Sequence, residues 1–255
     1  MMSDPTWTEI KTSNSKDYYI RASWEARAET PNELASRFLR KIDSLKEINP
    51  AVFSLWTCGA RRPQKFETVR DRYAEEIAAG VMRDDWGEPT PVYGYWFGAF
   101  TRDTPDNRSF AVRCNAGGTV KESFPNAVTF ETSSLANLEP DPAVVSHRVF
   151  RSAMLAIVDA WAPVRGSAYS RKLIQLNDSA SDFPAAWIQY LSPWLAQKIT
   201  PPSTVLVEHL PNGGLLMSAT TETFDVDNPA HLKAAQDMAA AMAPLDLLPW
   251  PSQRA

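Results

Sequence analysis

The tetrad Thr30-Pro31-Asn32-Glu33 constrains the fold most, because it fixes where a long helix begins. Thr at the N-cap accepts from an orphan amide, Glu three residues on reaches back to the cap, and Pro at the first helical position gives up an N–H the helix does not use. Leu34, Phe38, Ile42 and Leu45 then recur at helical spacing, with Arg37, Arg40, Lys41 and Lys46 on the other side. The pattern predicts a surface helix with one core stripe, closed at Asn49-Pro50, whose basic side reads as a solvated face. Upstream, Tyr18, Ile20, Ala22 and Trp24 alternate with Tyr19, Arg21 and Ser23, a strand with one buried and one half-wet face.

A second helix is expected from about Gln64 to Ala79, with Phe66, Val69, Tyr73 and Ile77 aligned and Gly80 in a left-handed C-terminal position. A charged loop holding Trp86 follows. Strands are expected at Val92 to Phe100, Ser109 to Asn115 and Ala127 to Glu131, separated by turn signals at 103–107 and Gly117-Gly118, as an antiparallel meander. Beyond the break at Pro140 and Pro142, Ser146 can cap a helix carrying Phe150, Met154, Ile157, Val158 and Trp161. Short strands are expected near Tyr169 to Gln175 and Ala186 to Leu191. Thr204 to Leu210 and Gly214 to Glu222 form a hairpin over Asn212-Gly213, and Asn228-Pro229 opens a last helix with Leu232, Ala235, Ala239 and Met242 inward. Strands and helices in runs, without regular alternation, predict an α+β fold of antiparallel sheet flanked by about four helices. Residues 1–16 read as a flexible N-terminus, 17–248 as a single domain with an internal sub-boundary near 139–145, and 249–255 as a tail.

The 255 residues carry a formal charge of -4, which argues against direct nucleic-acid binding, since phosphate contacts need clustered Lys and Arg. Two cysteines, Cys58 and Cys114, are too few for a disulfide framework and read as reduced thiols, although the sequence allows them to pair. No apolar run reaches the ~20 residues of a membrane helix, and the start lacks a signal-peptide pattern, so a cytoplasmic location is expected.

Residue chemistry reveals no active site. His147, His209 and His231 are the only histidines, and no nucleophile elbow occurs. His209 reads as a hydrogen-bonded strand residue, and the other two as capping or packing residues. No His or Cys spacing suits a metal, Gly117-Gly118 and Gly213-Gly214 read as turns, and no cofactor is expected. Acids gather at Asp84, Asp85 and Glu88, at Asp103 and Asp106, and at Asp178 and Asp182, all in loops beside turn formers. They read either as solvated charge or, with Trp86 and Phe183 beside them, as a surface that steers a basic partner. Of the nine tryptophans, Trp24, Trp96 and Trp161 sit on expected core faces, whereas a glycan-binding module would expose them.

Taken in order, Tyr18-Tyr19 to Trp24 and Arg27, Pro50 with Phe53 and Trp56, and Gly80 before Arg83-Asp84 resemble the front half of the Immunity protein 52 family. Trp161-Ala162-Pro163, Trp187 with Tyr190-Leu191-Ser192, Gly213-Gly214-Leu215-Leu216, and Phe224 through Pro229 and His231 resemble its back half. The chain departs at Cys114-Asn115, where Cys-Gly is expected. The resemblance implies a non-enzymatic immunity protein of polymorphic-toxin and type VI secretion systems. Its partner would be a cognate toxin, here a basic nuclease domain of restriction-endonuclease-like class. Asp84, Asp85, Trp86, Glu88, Asp103 and Asp106 are the candidate toxin-binding residues. The alternatives are a small hydrolase using His209 or His231 and a glycan-binding module; oligomeric state stays open between monomer and homodimer.

Overall fold

The computed structural model describes residues 17–59, 63–101, 109–120, 126–133, 141–176 and 181–248. Ten strands join in one antiparallel sheet: β1 (Tyr18–Trp24), β2 (Thr57–Cys58), β3 (Gln64–Lys65), β4 (Tyr95–Phe100), β5 (Ser109–Ala116), β6 (Asn126–Ser133), β7 (Arg165–Ser170), β8 (Ile188–Leu191), β9 (Leu206–His209) and β10 (Leu215–Ser218). Their order is β3-β2-β4-β5-β6-β1-β7-β8-β10-β9, so the first strand fills the middle of the sheet. The helices are α1 (Pro31–Ile48), α2 (Phe66–Val69), α3 (Tyr73–Ala79), α4 (His147–Trp161), α5 (Arg171–Leu176), α6 (Pro193–Ala196) and α7 (Pro229–Met242). Four of these, α1, α3, α4 and α7, run seven residues or more. The α+β expectation holds.

The capping box forms as read: Thr30 N donates to Glu33 Oε2 at 2.7 Å, and Glu33 N to Thr30 Oγ1 at 3.4 Å. One face of the sheet packs against α1, α3 and α4. Ile20, Val112, Val128 and Phe130 meet Leu34, Phe38, Phe150 and Ile157 there, all without solvent exposure. Burial of each such side chain is worth about 1.5–3 kcal/mol of transfer free energy. Trp24 stacks on Trp161 at 5.1 Å. Arg27 and Arg37 hold the end of α4 by donating to the carbonyls of Trp161 (3.1 Å) and Ala160 (2.8 Å), acceptors the helix itself leaves unpaired. Glu29, its side chain 4% exposed, binds both guanidinium groups, at 3.0 and 2.6 Å. A second, smaller core lies under α7, built from Leu191, Leu215, Met217, Ala234, Met238 and Met242.

Several local expectations are corrected. The helix read over 64–79 is broken, because Val69 leaves helical geometry (φ -118°, ψ 0°) and residues 70–72 tighten into a 3₁₀ turn. All four stripe residues are nevertheless buried. Gly80 is not left-handed (φ -85°); glycine is required because a Cβ would lie 2.1 Å from the Trp96 carbonyl oxygen. The strand read over 169–175 lies earlier, at β7, and residues 171–176 are helical, with the Ser170 hydroxyl accepting from Leu173 N at 3.2 Å. Small residues masked β7: a Cβ at Gly166 would sit 2.8 Å from the Met154 sulfur. β4 begins at Tyr95 rather than Val92, after a 3₁₀ turn at 91–93. Ser146 holds the N-cap of α4 without a side-chain capping bond. Trp96 points away from the core and is 55% exposed. Lys41 is fully buried, because α1 is flanked by α3 and α4 as well as by the sheet. Cys58 and Cys114 are both free and buried, and β4 separates their strands by two spacings, about 9.6 Å, beyond disulfide reach. The termini read over 1–16 and 249–255, with Trp7, lie outside the described residues.

Candidate functional site

Four of the six residues singled out from sequence, Asp84, Asp85, Trp86 and Glu88, share one turn; Asp103 and Asp106 lie outside the described residues. The turn is rooted at the corner of the sheet beside β4. Trp96 N donates to Gly80 O at 2.8 Å, Met82 N to Gly94 O at 3.0 Å and Thr90 N to Met82 O at 2.7 Å, while Val81 bridges Tyr95 and Arg83 bridges Pro89. Gly94 closes the root with φ +82°, where a Cβ would meet Ala116 O at 2.5 Å.

Within the turn the four residues divide by role. Asp84 Oδ1 accepts from the amides of Trp86 (3.0 Å) and Glu88 (2.9 Å), and its own amide donates to Glu88 O at 3.0 Å. Gly87, at φ +87°, donates to Asp84 O at 3.0 Å, and Arg83 Nη1 donates to Gly87 O at 2.6 Å. The Asp84 carboxylate is therefore spent on shaping the turn, a local use typical of Asp. What the turn presents is Trp86, 86% exposed, between the exposed side chains of Asp85 and Glu88. Val92 and Tyr93, 49% and 51% exposed, stand nearby in sequence on the same excursion. A tryptophan presented to solvent by a hydrogen-bonded turn is the kind of residue that a partner's pocket takes up at a binding hot spot. The third acidic cluster is not a site of this kind: Asp182 is bound to Arg165 at 2.6 Å, and Asp178 lies outside the described residues.

The histidines do not assemble a catalytic group. His209 lies in a strand as read, at the end of β9, with its side chain exposed. His147 Nε2 meets Ser218 Oγ at 3.0 Å, with its pKa lowered by burial and then by Arg151. His231 borders a cleft of about 510 Å³ together with Glu222, Thr220 and Lys233. Its Nδ1 accepts from Asp225 N at 3.2 Å, which places the ring proton on Nε2, 3.3 Å from Glu222. Neither ring nitrogen then offers a free lone pair, as a general base must. Among the described residues, no three His, Cys, Asp or Glu side chains gather as a metal site, and no helix is long and apolar enough to cross a membrane.

The model of Immunity protein 52 matches residues 16–249. The chain belongs to the Immunity protein 52 family. A solved structure titled Pseudomonas aeruginosa T6SS protein PA0821 is similar at 10% identity and a TM-score of 0.49, covering 87% of this chain and 73% of that one. Among curated proteins none matches. With the Immunity protein 52 assignment in place, the residues that carried the resemblance prove to be largely architectural. Trp24, Arg27 and Trp161 lock α4 to the sheet, and Trp187 is buried, donating to Thr220 O at 3.1 Å. Sequence reasoning passed over Tyr93 and Trp96 as surface residues. The signal available for Trp96 was its alternation with Phe97 and Ala99, whose burial turns it outward.

Proposed function

We propose that this Immunity protein 52 member neutralises a cognate toxin by stoichiometric binding, with no chemistry of its own, and that residues 17–248 act as one immunity domain. The observation that carries the reading is the family match over 16–249. The turn at Asp84 supports it, offering an exposed tryptophan between two exposed carboxylates. Such an arrangement suits a partner with a basic surface, as a DNA-cleaving, restriction-endonuclease-like toxin has, and on this reading the encounter belongs in the cytoplasm, where such a toxin would meet DNA. Asp85 and Glu88 then steer the approach through a screened field, while Trp86 anchors.

Co-expression with the toxin gene next to this one tests the reading. The expected result is survival and a complex that co-elutes in gel filtration. Cell death without a complex refutes it. In the same assay Trp86→Ala should leave the fold intact and weaken the complex, and Asp85→Lys with Glu88→Lys should slow association and flatten its salt dependence. Unchanged kinetics in both variants would remove the turn from the interface.

A further inference from the structure

The side of the sheet opposite α1, α3 and α4 is covered only in part. Leu216 of β10 enters the first core, whereas its neighbours Leu215 and Met217 enter the second, so the two cores lie on opposite faces. The register extends the second face across the molecule. Leu215 and Leu191 stand in line with Arg165 and Ser23 and, through β6 and β5, with Trp96. The next row runs from Met217 through Ser167 to Arg21 and Arg113. Among the described residues the second core draws none from β1, β4, β5 or β6; on that face Ser23 and Ala111 are buried, whereas Arg21, Arg113 and Trp96 meet solvent.

The side chains there are of the kinds that dominate protein interfaces. Trp96 is 55% exposed, Arg21 is exposed, and the Arg113 side chain is 53% exposed. Arg21 and Arg113 share a row two strands apart, about 10 Å. Beside them Tyr19 and Tyr169 pack with ring centroids 6.2 Å apart. Arg113 is paired with Glu131 at 2.5 Å, while Arg21 makes no ion pair among the described residues. A chain whose formal charge is -4 thus shows a face with an excess of arginine, framed by aromatic rings. Trp, Tyr and Arg are the residues most enriched at binding hot spots, and an exposed guanidinium selects carboxylates by charge and fork geometry. Two arginines are too few for the phosphate neutralisation of a nucleic-acid site.

We propose that the open face of β4, β5, β6 and β1 grips the toxin, and that the toxin meets it with a patch of carboxylates seated on Arg21 and Arg113. The inference rests on the toxin-binding reading above and extends it, because the acidic turn and the arginine face rise from the same corner of the sheet at Trp96. The toxin so recognised carries both a basic and an acidic patch, and the turn sets the encounter rate while the face sets the lifetime of the complex.

The test uses the full chain and the toxin domain from the neighbouring gene, inactivated by a catalytic substitution, with affinity measured by calorimetry. Wild-type binding and protection separate the two ideas first: if neither occurs, the toxin-binding reading falls and this proposal with it. Given wild-type binding, Arg21→Glu and Trp96→Ala should each weaken affinity by about 30-fold or more through faster dissociation. Arg40→Glu, on the outer side of α1, should bind as the wild type. Circular dichroism and thermal midpoint confirm folding, which substitution at exposed positions leaves nearly unchanged. Wild-type affinity in Arg21→Glu and Trp96→Ala overturns the sheet-face proposal and leaves the immunity reading standing. Capture of a single-stranded oligonucleotide by this face, lost in Arg21→Glu while toxin affinity is retained, also overturns it.

Discussion

Replacing Lys41 by methionine should make the protein more stable. Lys41 has no solvent exposure, and its Nζ finds no hydrogen-bond partner among the described residues. Desolvation pulls its pKa from 10.5 down to about 8, opposed only by the field of the nearby Cys114. The charged form is thus disfavoured in the folded state, so the unfolded chain binds more protons between pH 8 and 10.5, and stability rises with pH across that window. Below pH 8 the full penalty applies. At roughly 1.4 kcal/mol per tenfold change in proton affinity, it amounts to about 3 kcal/mol at pH 7. Methionine keeps the length of the side chain and has no charge to desolvate, so Lys41→Met should gain about that much, a rise in midpoint of roughly 6–12 °C. Urea unfolding of both proteins at intervals from pH 7 to 10.5, under reductant, measures it. Cys58, raised to about 11, also titrates near the upper limit, so the informative quantity is the difference between the two curves. That difference should shrink as pH rises from 8 to 10.5. A variant no more stable at pH 7, or a difference that does not change with pH, would refute the account of Lys41 as an unpaired buried amine.

Other expectations follow from the same structure. Glu29→Ala leaves Arg27 and Arg37 facing each other without their shared carboxylate and should destabilise by about 3 kcal/mol, read by urea denaturation. Gly80→Ala forces a Cβ against the Trp96 carbonyl and should unseat the root of the 81–95 turn, seen as faster hydrogen exchange at Met82 and Trp96. Asp84→Ala should cost about 1 kcal/mol and speed exchange at the Trp86 and Glu88 amides, whereas Asp84→Asn, which retains an acceptor, should not. His147 is held neutral in the fold with its pKa below 6.5. The unfolded chain therefore takes up the proton first, and the stability held above pH 6.5 should fall as pH drops through that value. His147→Gln should be flatter between pH 7 and 5.

The fold was legible where one signal decided the local outcome. The capping box and Asn49-Pro50 delimited α1, and the alternation of Tyr18 to Trp24 gave β1 its buried face, because each rests on backbone geometry within a few residues. Reading failed where a distant contact chose the residue. Gly166 is small because Met154 packs over it, and Lys41 is buried because two helices flank α1, neither of which a local window contains. The acidic turn was found by composition, yet composition could not show that Asp84 faces inward while Asp85 and Glu88 face outward; that depends on which carboxylate reaches the amides. Arg21 was placed on the wetter side of its strand, but the open face emerged only once four strands were in register.

The position of β1 has a consequence for the timing of protection. Its partners are β6 and β7, so Tyr18 pairs with Thr132 and Ser170, and the Tyr18 hydroxyl donates to Phe224 O at 2.8 Å. At ribosomal rates of about 5–20 residues per second, this seam stays empty for roughly 7–30 seconds after β1 has been made. Until β7 is made, β1 has a partner on one side only, although the row that joins Arg21 to Arg113 can form once β6 is complete. A chain of this topology works only when nearly all of it has been translated. A cell struck by toxin therefore draws on molecules completed beforehand, and sustained synthesis, rather than induction on attack, is the mode of supply that such a sheet favours.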